Sequence, residues 1–343
     1  MATLRYGSAM SFASIVGHES VISGLRTSYV KARVSHAYLF RGPVGVGKKL
    51  LAMAFAQLLN CENPSVGPDA CGQCRSCRLL LDERHPDLNV VEPDGQFIKI
   101  DTIRQMHKSL RFKPVAGQWR ITLIHQADRL HEAAANALLK TLEEPPQRNA
   151  FLLISAKPHS VLATIRSRCQ QVRCSSLNET LVAQWLVKTH GTDPQQAAES
   201  AALSWGSIGH AEEFIDPERI ALRDHWLGFL QESATMSPQQ LMNSAQELAS
   251  DRAQIPPVLN ILRLAFRDVV IRAATGSNRQ CSFSEGSRTL PSMPVASGLQ
   301  SLQLIDESEE ALLGNTNARL AMEHLLLSLR RHIQHGKSHG VAQ

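Results

Sequence analysis

Apolar and polar positions follow two regimes along the chain. Up to about residue 175, short apolar runs of strand length occur at Ala37–Phe40, Leu88–Val91, Ile121–His125 and Phe151–Ser155. Between them lie stretches with helical spacing, Leu50–Leu59, Asp101–Leu110 and Glu132–Glu144. Strands alternating with helices predict an α/β domain, a parallel sheet with helices on both faces. The 132–144 helix is the most legible. Alanines at 133–135 and 137 are strong helix formers, and Leu138, Leu139 and Leu142 make an apolar stripe. Pro145-Pro146 cannot continue it.

After residue 175 the strand signals stop. Residues 178–215 read as short helices broken at Gly191–Pro194 and Gly206–Gly209, and residues 216–343 as amphipathic helices, including Pro257–Ala273 and Arg319–His335. Thr275–Ser297, rich in Ser, Gly, Arg and Pro and without periodicity, reads as a mobile loop. There is no internal repeat. The predicted outline is an α/β domain over 1–175, a small helical domain over 176–215 and an all-α domain over 216–343.

Composition adds limits. With 43% hydrophobic and 20% charged residues, the 343-residue chain has the make-up of a globular protein with room for two or three domains. The net charge of +5 permits a polyanionic partner without requiring one. Residues 1–60 hold seven Lys or Arg against the single acid Glu19, either a solvated face or one turned toward phosphate or acidic groups. No apolar run approaches the ~20 residues that span a membrane. The first twenty residues lack a continuous apolar segment of secretory type, so the expectation is a cytoplasmic protein with reduced thiols.

The run Ala37–Phe40 leads straight into Arg41-Gly42-Pro43-Val44-Gly45-Val46-Gly47-Lys48-Lys49 and then a helix. This is the setting of a phosphate-binding loop, and Gly42, Gly47 and Lys48 have the G-x-x-x-x-G-K spacing. Glycines, Gly45 included, let backbone N–H groups approach phosphate oxygens, and the lysine neutralises phosphate charge. The bland alternative is a tight turn. The next residue should be Ser or Thr, whose hydroxyl ligates Mg²⁺; it is Lys49, a donor with no acceptor. Where the partner strand should end in carboxylates stand His125 and Gln126, poor ligands for a hard cation, with Asp128 further along. ATP or ADP binding therefore stays open, and Mg²⁺-dependent hydrolysis is not expected.

Cys61, Cys71, Cys74 and Cys77 form C-x₉-C-x₂-C-x₂-C, a spacing that turns four thiolates toward one tetrahedral centre and suits structural Zn²⁺. An iron–sulfur cluster or four free thiols are the alternatives. Cys169, Cys174 and Cys281 read as buried small hydrophobes.

Three further segments carry a resemblance: Ala133–Pro146, Thr164-Ile165-Arg166-Ser167-Arg168-Cys169, and the lead-in His36–Pro43. Together they resemble the bacterial DNA polymerase III clamp-loader family over most of residues 13–175. Weaker likeness continues at Gly206–Ala211 and Gly314–Ala321. The resemblance implies an AAA+ P-loop domain, a helical lid and a helical collar. It also implies a zinc module at 61–77, like that carried by the family's ATPase-fold subunits. Altered metal-binding residues beside an intact Ser-Arg-Cys resemble the delta-prime branch. There the arginine, here Arg168, reaches into a neighbour's nucleotide site as an arginine finger. An ordinary salt bridge for Arg168, with Arg166 the finger or neither, is the alternative. The family's nucleotide-sensing arginine is His210 here, shorter and only partly charged. Implied partners are the ATPase subunits (gamma/tau), the delta subunit, the sliding clamp and primed DNA, within the polymerase holoenzyme. A divergent motor subunit, or a zinc-dependent DNA-binding module reusing the fold, are the rival readings.

Overall fold

The computed structural model describes residues 11–65, 67–110, 112–277, 281, 293–314 and 316–339. The segment before Ser11 and most of the 275–297 stretch read as a loop fall outside them.

Five strands, β1 (Ala37–Arg41), β2 (Leu88–Val91), β3 (Arg120–Ile124), β4 (Asn149–Ser155) and β5 (Gln170–Arg173), form one sheet in the order β2-β3-β4-β1-β5. Every pairing is parallel, with Tyr38 opposite Leu152 on one side and Gln170 on the other. The helices of this region are α1 (Glu19–Val30), α2 (Lys48–Asn60), α3 (Arg75–Leu81), α4 (Ile100–Leu110), α5 (Glu132–Glu143), α6 (Ala163–Arg168) and α7 (Glu179–His190). They continue with α8 (Pro194–Ser204), α9 (Ile208–Glu213), α10 (Pro217–Glu232), α11 (Pro238–Ser250), α12 (Ile255–Thr275), α13 (Val295–Leu313) and α14 (Ala318–His339).

Strand parity explains the two layers. Side chains alternate across a strand, so Tyr38, Phe40, Leu123, Leu152 and Ile154 pack with α1 and α2 on one face. Ala37, Leu39, Ile124, Phe151 and Leu153 pack with α4, α5 and α6 on the other. All seven residues of β4 are buried, as a strand covered on both faces requires. This is the parallel α/β architecture expected of an AAA+ P-loop domain.

Beside β2, the fully buried Asp87 accepts the N–H groups of Val115, Ala116 and Gly117 and pairs with buried Arg120 at 3.1 Å. Burial alone would raise its carboxyl pKa, but these bonds outweigh burial and hold it below the ordinary value. The chain from Phe112 to Gly117 is thereby fixed, with Phe112 and Val115 exposed.

The chain divides into two compact units, Met1–Pro194 with Trp205–His210, and Gln195–Ser204 with Ala211–Gln343. The second is helical throughout its described residues. Its core is built from Trp226 and Phe229 of α10, Leu241 of α11, Leu262 and Phe266 of α12, and Met322 and Leu325 of α14. Local signals set its helix ends. Ser237 and Gln240 form a reciprocal capping box before α11, and Gly276 closes α12 in the left-handed region at φ 65°. Arg263 on α12 bridges to Asp306 and Glu309 on α13.

Candidate functional site

The glycine loop joins β1 to α2, which starts at Lys48 with Gly47 as its N-cap in the left-handed region (φ 96°). Two glycines are there by necessity. A Cβ at Gly42 (φ 154°) would lie 1.9 Å from the Cys174 carbonyl oxygen, and one at Gly45 (φ 76°) would lie 2.1 Å from Ser207 Oγ.

The loop is held by its own protein. Lys48 Nζ donates to the carbonyls of Gly42 (2.8 Å) and Pro43. The Gly209 N–H donates to Gly45 O at 3.2 Å, and His18 Nε2 lies 2.8 Å from Val46 O. Lys48 is buried, which lowers its pKa, while Cys174 and Asp128 nearby act in the opposite direction. The Cys174 thiol is pushed up to about 11, first by burial, with Lys48 pulling it down.

Lys49 points elsewhere. Its Nζ pairs with Glu83 Oε1 at 2.7 Å, with both side chains part-exposed. β3 ends at Ile124, one residue earlier than the sequence suggested, so His125 begins the following turn; its N–H still donates to Val91 O. Burial, and next the Lys49 charge, lower the pKa of the His125 ring, and its Nε2 is buried without a hydrogen-bond partner. Gln126 takes the left-handed conformation at φ 50°, and Asp128 sits in the short 3-10 turn that follows, its Oδ1 buried and unpartnered. Gly42, Gly45, Gly47, Lys48, Lys49, His125 and Asp128 are thus brought to one end of the sheet. In place of a hydroxyl and paired acids, that end holds two lysines, the His125 imidazole and the single carboxylate of Asp128. His210 lies on the first turn of α9, where its N–H donates to Ser207 Oγ.

The four cysteines gather at the other end of α2. Cys61 is its C-cap, Cys71 follows a nine-residue loop, and Cys74 caps α3, which contains Cys77. Their Sγ atoms all lie within 4.8 Å of one another. A tetrahedral four-thiolate zinc centre with ~2.3 Å bonds has sulfurs about 3.8 Å apart, so the set can hold a metal ion. Backbone N–H groups of Cys71, Cys74 and Cys77 donate to Cys61, Cys71 and Cys74 sulfurs at 3.3–3.4 Å. Burial pushes the Cys61 and Cys77 thiols up. Burial acts upward on Cys71 too, but N–H bonds from Gln73 and Cys74 bring it down to about 7. The remaining cysteines, Cys169, Cys174 and Cys281, are buried.

Arg168 is the last residue of α6. Its Nη2 pairs with Glu143 Oε1 at 2.7 Å and its Nη1 donates to Thr164 O, leaving the side chain 36% exposed. Arg166 instead donates to the Pro158 carbonyl.

Sequence reasoning missed Glu83, His18, Ser207 and the Cys174 backbone as neighbours of the loop. A run of loop-closing glycines at 206 and 209 was visible; nothing local marked Glu83 as the partner of Lys49.

Residues 17–178 match the model of the family described as DNA polymerase III, delta subunit. Subunit delta' of Pseudomonas aeruginosa is 38% identical over 180 residues, 52% of this chain and 55% of that protein. Subunit delta' of Yersinia pestis is 34% identical over 228 residues, covering 64% and 66%. Subunit tau/gamma of Haemophilus influenzae is 38% identical over 176 residues, but these are 51% of this chain and 25% of that protein. The matched region thus spans from a quarter to about two thirds of the curated relatives' length. A gamma subunit-related protein from Thermotoga maritima aligns with 91% of the chain at 16% identity and a TM-score of 0.46. The chain belongs to the clamp-loader family of DNA polymerase III subunits.

Proposed function

We propose that this protein is a non-hydrolysing, delta-prime-type subunit of the DNA polymerase III clamp loader. It assembles with the gamma/tau ATPase subunits and the delta subunit, supplies Arg168 to a neighbour's nucleotide site, and helps load the sliding clamp on primed DNA. Residues 1–175 are the AAA+ domain, 176–215 the lid and 216–343 the collar through which it assembles. The four cysteines hold structural Zn²⁺, and with four thiolates no position is left open for water. The setting is cytoplasmic, at the replisome; among the described residues no helix is long and apolar enough to cross a membrane.

The observation that carries this reading is the Lys49–Glu83 pair. Where a Mg²⁺-ligating hydroxyl is needed stands an ammonium already engaged by a carboxylate, next to His125. Ammonium groups beside the lone carboxylate of Asp128, with no hydroxyl or paired acid, do not organise Mg²⁺–ATP for hydrolysis. Gly42, Gly45, Gly47 and Lys48 keep the shape of a nucleotide loop without the means to activate water. Arg168 fits the finger role because its anchor, Glu143, is exposed and exchangeable.

The similarity to tau/gamma relatives favours a second reading, a divergent motor subunit. Two measurements separate them. The isolated chain is expected to show no DNA-stimulated ATP turnover. In the reconstituted complex, Arg168→Ala is expected to lower turnover at the neighbouring site by about 10³–10⁵-fold, and so the total turnover measurably, while assembly is retained. Robust turnover by the isolated chain establishes the motor reading, and unchanged turnover with R168A removes the finger.

A further inference from the structure

The nine residues between Cys61 and Cys71 have no helix or strand of their own among those described. Their contact cluster consists of Cys61, Ala70 and Cys77 with Cys71 and Cys74 against it, with no Leu, Ile or Phe. Five small side chains bury too little apolar area to fix a loop of this length, since ordering each residue costs about 1–2 kcal/mol. The shape of this loop therefore depends on what the sulfurs hold.

One residue of that loop is engaged far outside it. Asp69, buried, accepts the N–H groups of Phe12 (Oδ1, 2.9 Å), Ala13 (Oδ2, 2.9 Å) and its neighbour Ala70, and pairs with Arg26 Nη2 of α1 at 3.0 Å. Phe12 and Ala13 open a one-turn 3-10 helix in which the Ser14 N–H donates to Ser11 O, while their own N–H groups are taken by the Asp69 carboxylate, which caps the turn. The Arg26 guanidinium also lies 5.6 Å from the centre of the Phe12 ring. A few residues on, His18 Nε2 reaches the Val46 carbonyl of the glycine loop. The segment 11–18 is thus tied at one end to the cysteine loop and at the other to the glycine loop.

We infer that the metal centre, acting through Asp69, anchors the N-terminal segment that fastens the glycine loop, so that loss of the metal frees residues 12–18 and α1. Asp69 is a positioning residue: it touches no sulfur and acts by where the metal holds it. The inference rests on the zinc reading above and adds to it a second task for the centre.

The test is hydrogen exchange on the full chain, with zinc and after chelation, comparing the Phe12–Ala13 amides and α1 with α4 as the internal reference. Exchange at Phe12, Ala13 and α1 is expected to rise at least tenfold on chelation, with α4 unchanged. Asp69→Asn, assayed with zinc bound, is expected to give the same rise at an unaltered one zinc per chain. If chelation also unfolds the sheet, the D69N comparison decides. Phe12 and Ala13 protected as in the parent in zinc-loaded D69N overturn the inference and leave the zinc reading standing. A chain that takes up no zinc overturns both.

Discussion

At one end of α2, four thiols converge, and the backbone N–H groups of Cys71, Cys74 and Cys77 are already turned toward sulfur. At its other end, a glycine loop meets Lys48, Lys49 and His125, with one carboxylate oxygen of Asp128 buried and unmatched. The same helix therefore connects four sulfur donors to a glycine loop flanked by two ammonium groups and a lone carboxylate. The first end has little apolar filling, its contact cluster being four cysteines and Ala70. The second has closed on itself, with lysine, glycine and histidine groups occupying the loop's carbonyls. That closure is incomplete, since His125 Nε2 and Asp128 Oδ1 stay buried without a partner.

The largest effect should come from breaking the cysteine end. Zinc binding to such sites is worth on the order of 10 kcal/mol. Cys71→Ser with Cys74→Ser should abolish metal uptake and make Cys61–Leu81 sensitive to protease. The sheet should persist by circular dichroism, because its core lies elsewhere. A protease-resistant double variant would show that the cysteine end shapes itself without an ion, and the contrast would fail.

A smaller effect is expected at the glycine end. Gly42→Ala places a Cβ against the Cys174 carbonyl at a φ that L residues avoid, and should cost about 1–3 kcal/mol of stability by denaturant unfolding. A neutral result would mean that the loop is not closed as described. The smallest effect is that of Lys49→Thr. It removes a part-exposed ion pair worth about 0–1 kcal/mol and supplies the missing hydroxyl, yet should produce no ATP turnover, because His125 and Gln126 remain. Turnover by K49T alone would show that the glycine end had lost a single ligand rather than a whole metal site.

The parts of this comparison were unequally visible in the sequence. Cys-x-x-Cys spacing and the glycine–lysine run are local chemistry, and local chemistry survives translation into structure. Strands β1 to β4 announced themselves as apolar runs. β5 did not, since Gln170-Gln171-Val172-Arg173 places one buried side chain on a sheet edge. α1 and α6 were passed over for a similar reason, each showing few buried positions. What sequence could not supply were the long-range partners. Glu83 is 34 positions from Lys49, Asp69 is 57 from Phe12, and Glu143 is 25 from Arg168. Such pairs arise from the packing of elements, and no periodicity encodes them.

The sheet order has one more consequence, for the order in which the chain matures. β1 sits between β4 and β5, so Tyr38 finds its neighbours only at Leu152 and Gln170, and Gly42 rests on the backbone of Cys174. During synthesis at about 5–20 residues per second, the roughly 130 residues between them take about 7–26 s to appear. For that interval the glycine loop has no sheet to stand on, while the cysteines, only sixteen positions from first to last, are all made within about 1–3 s. A nascent chain would therefore be able to gather its four cysteines well before its glycine loop takes shape.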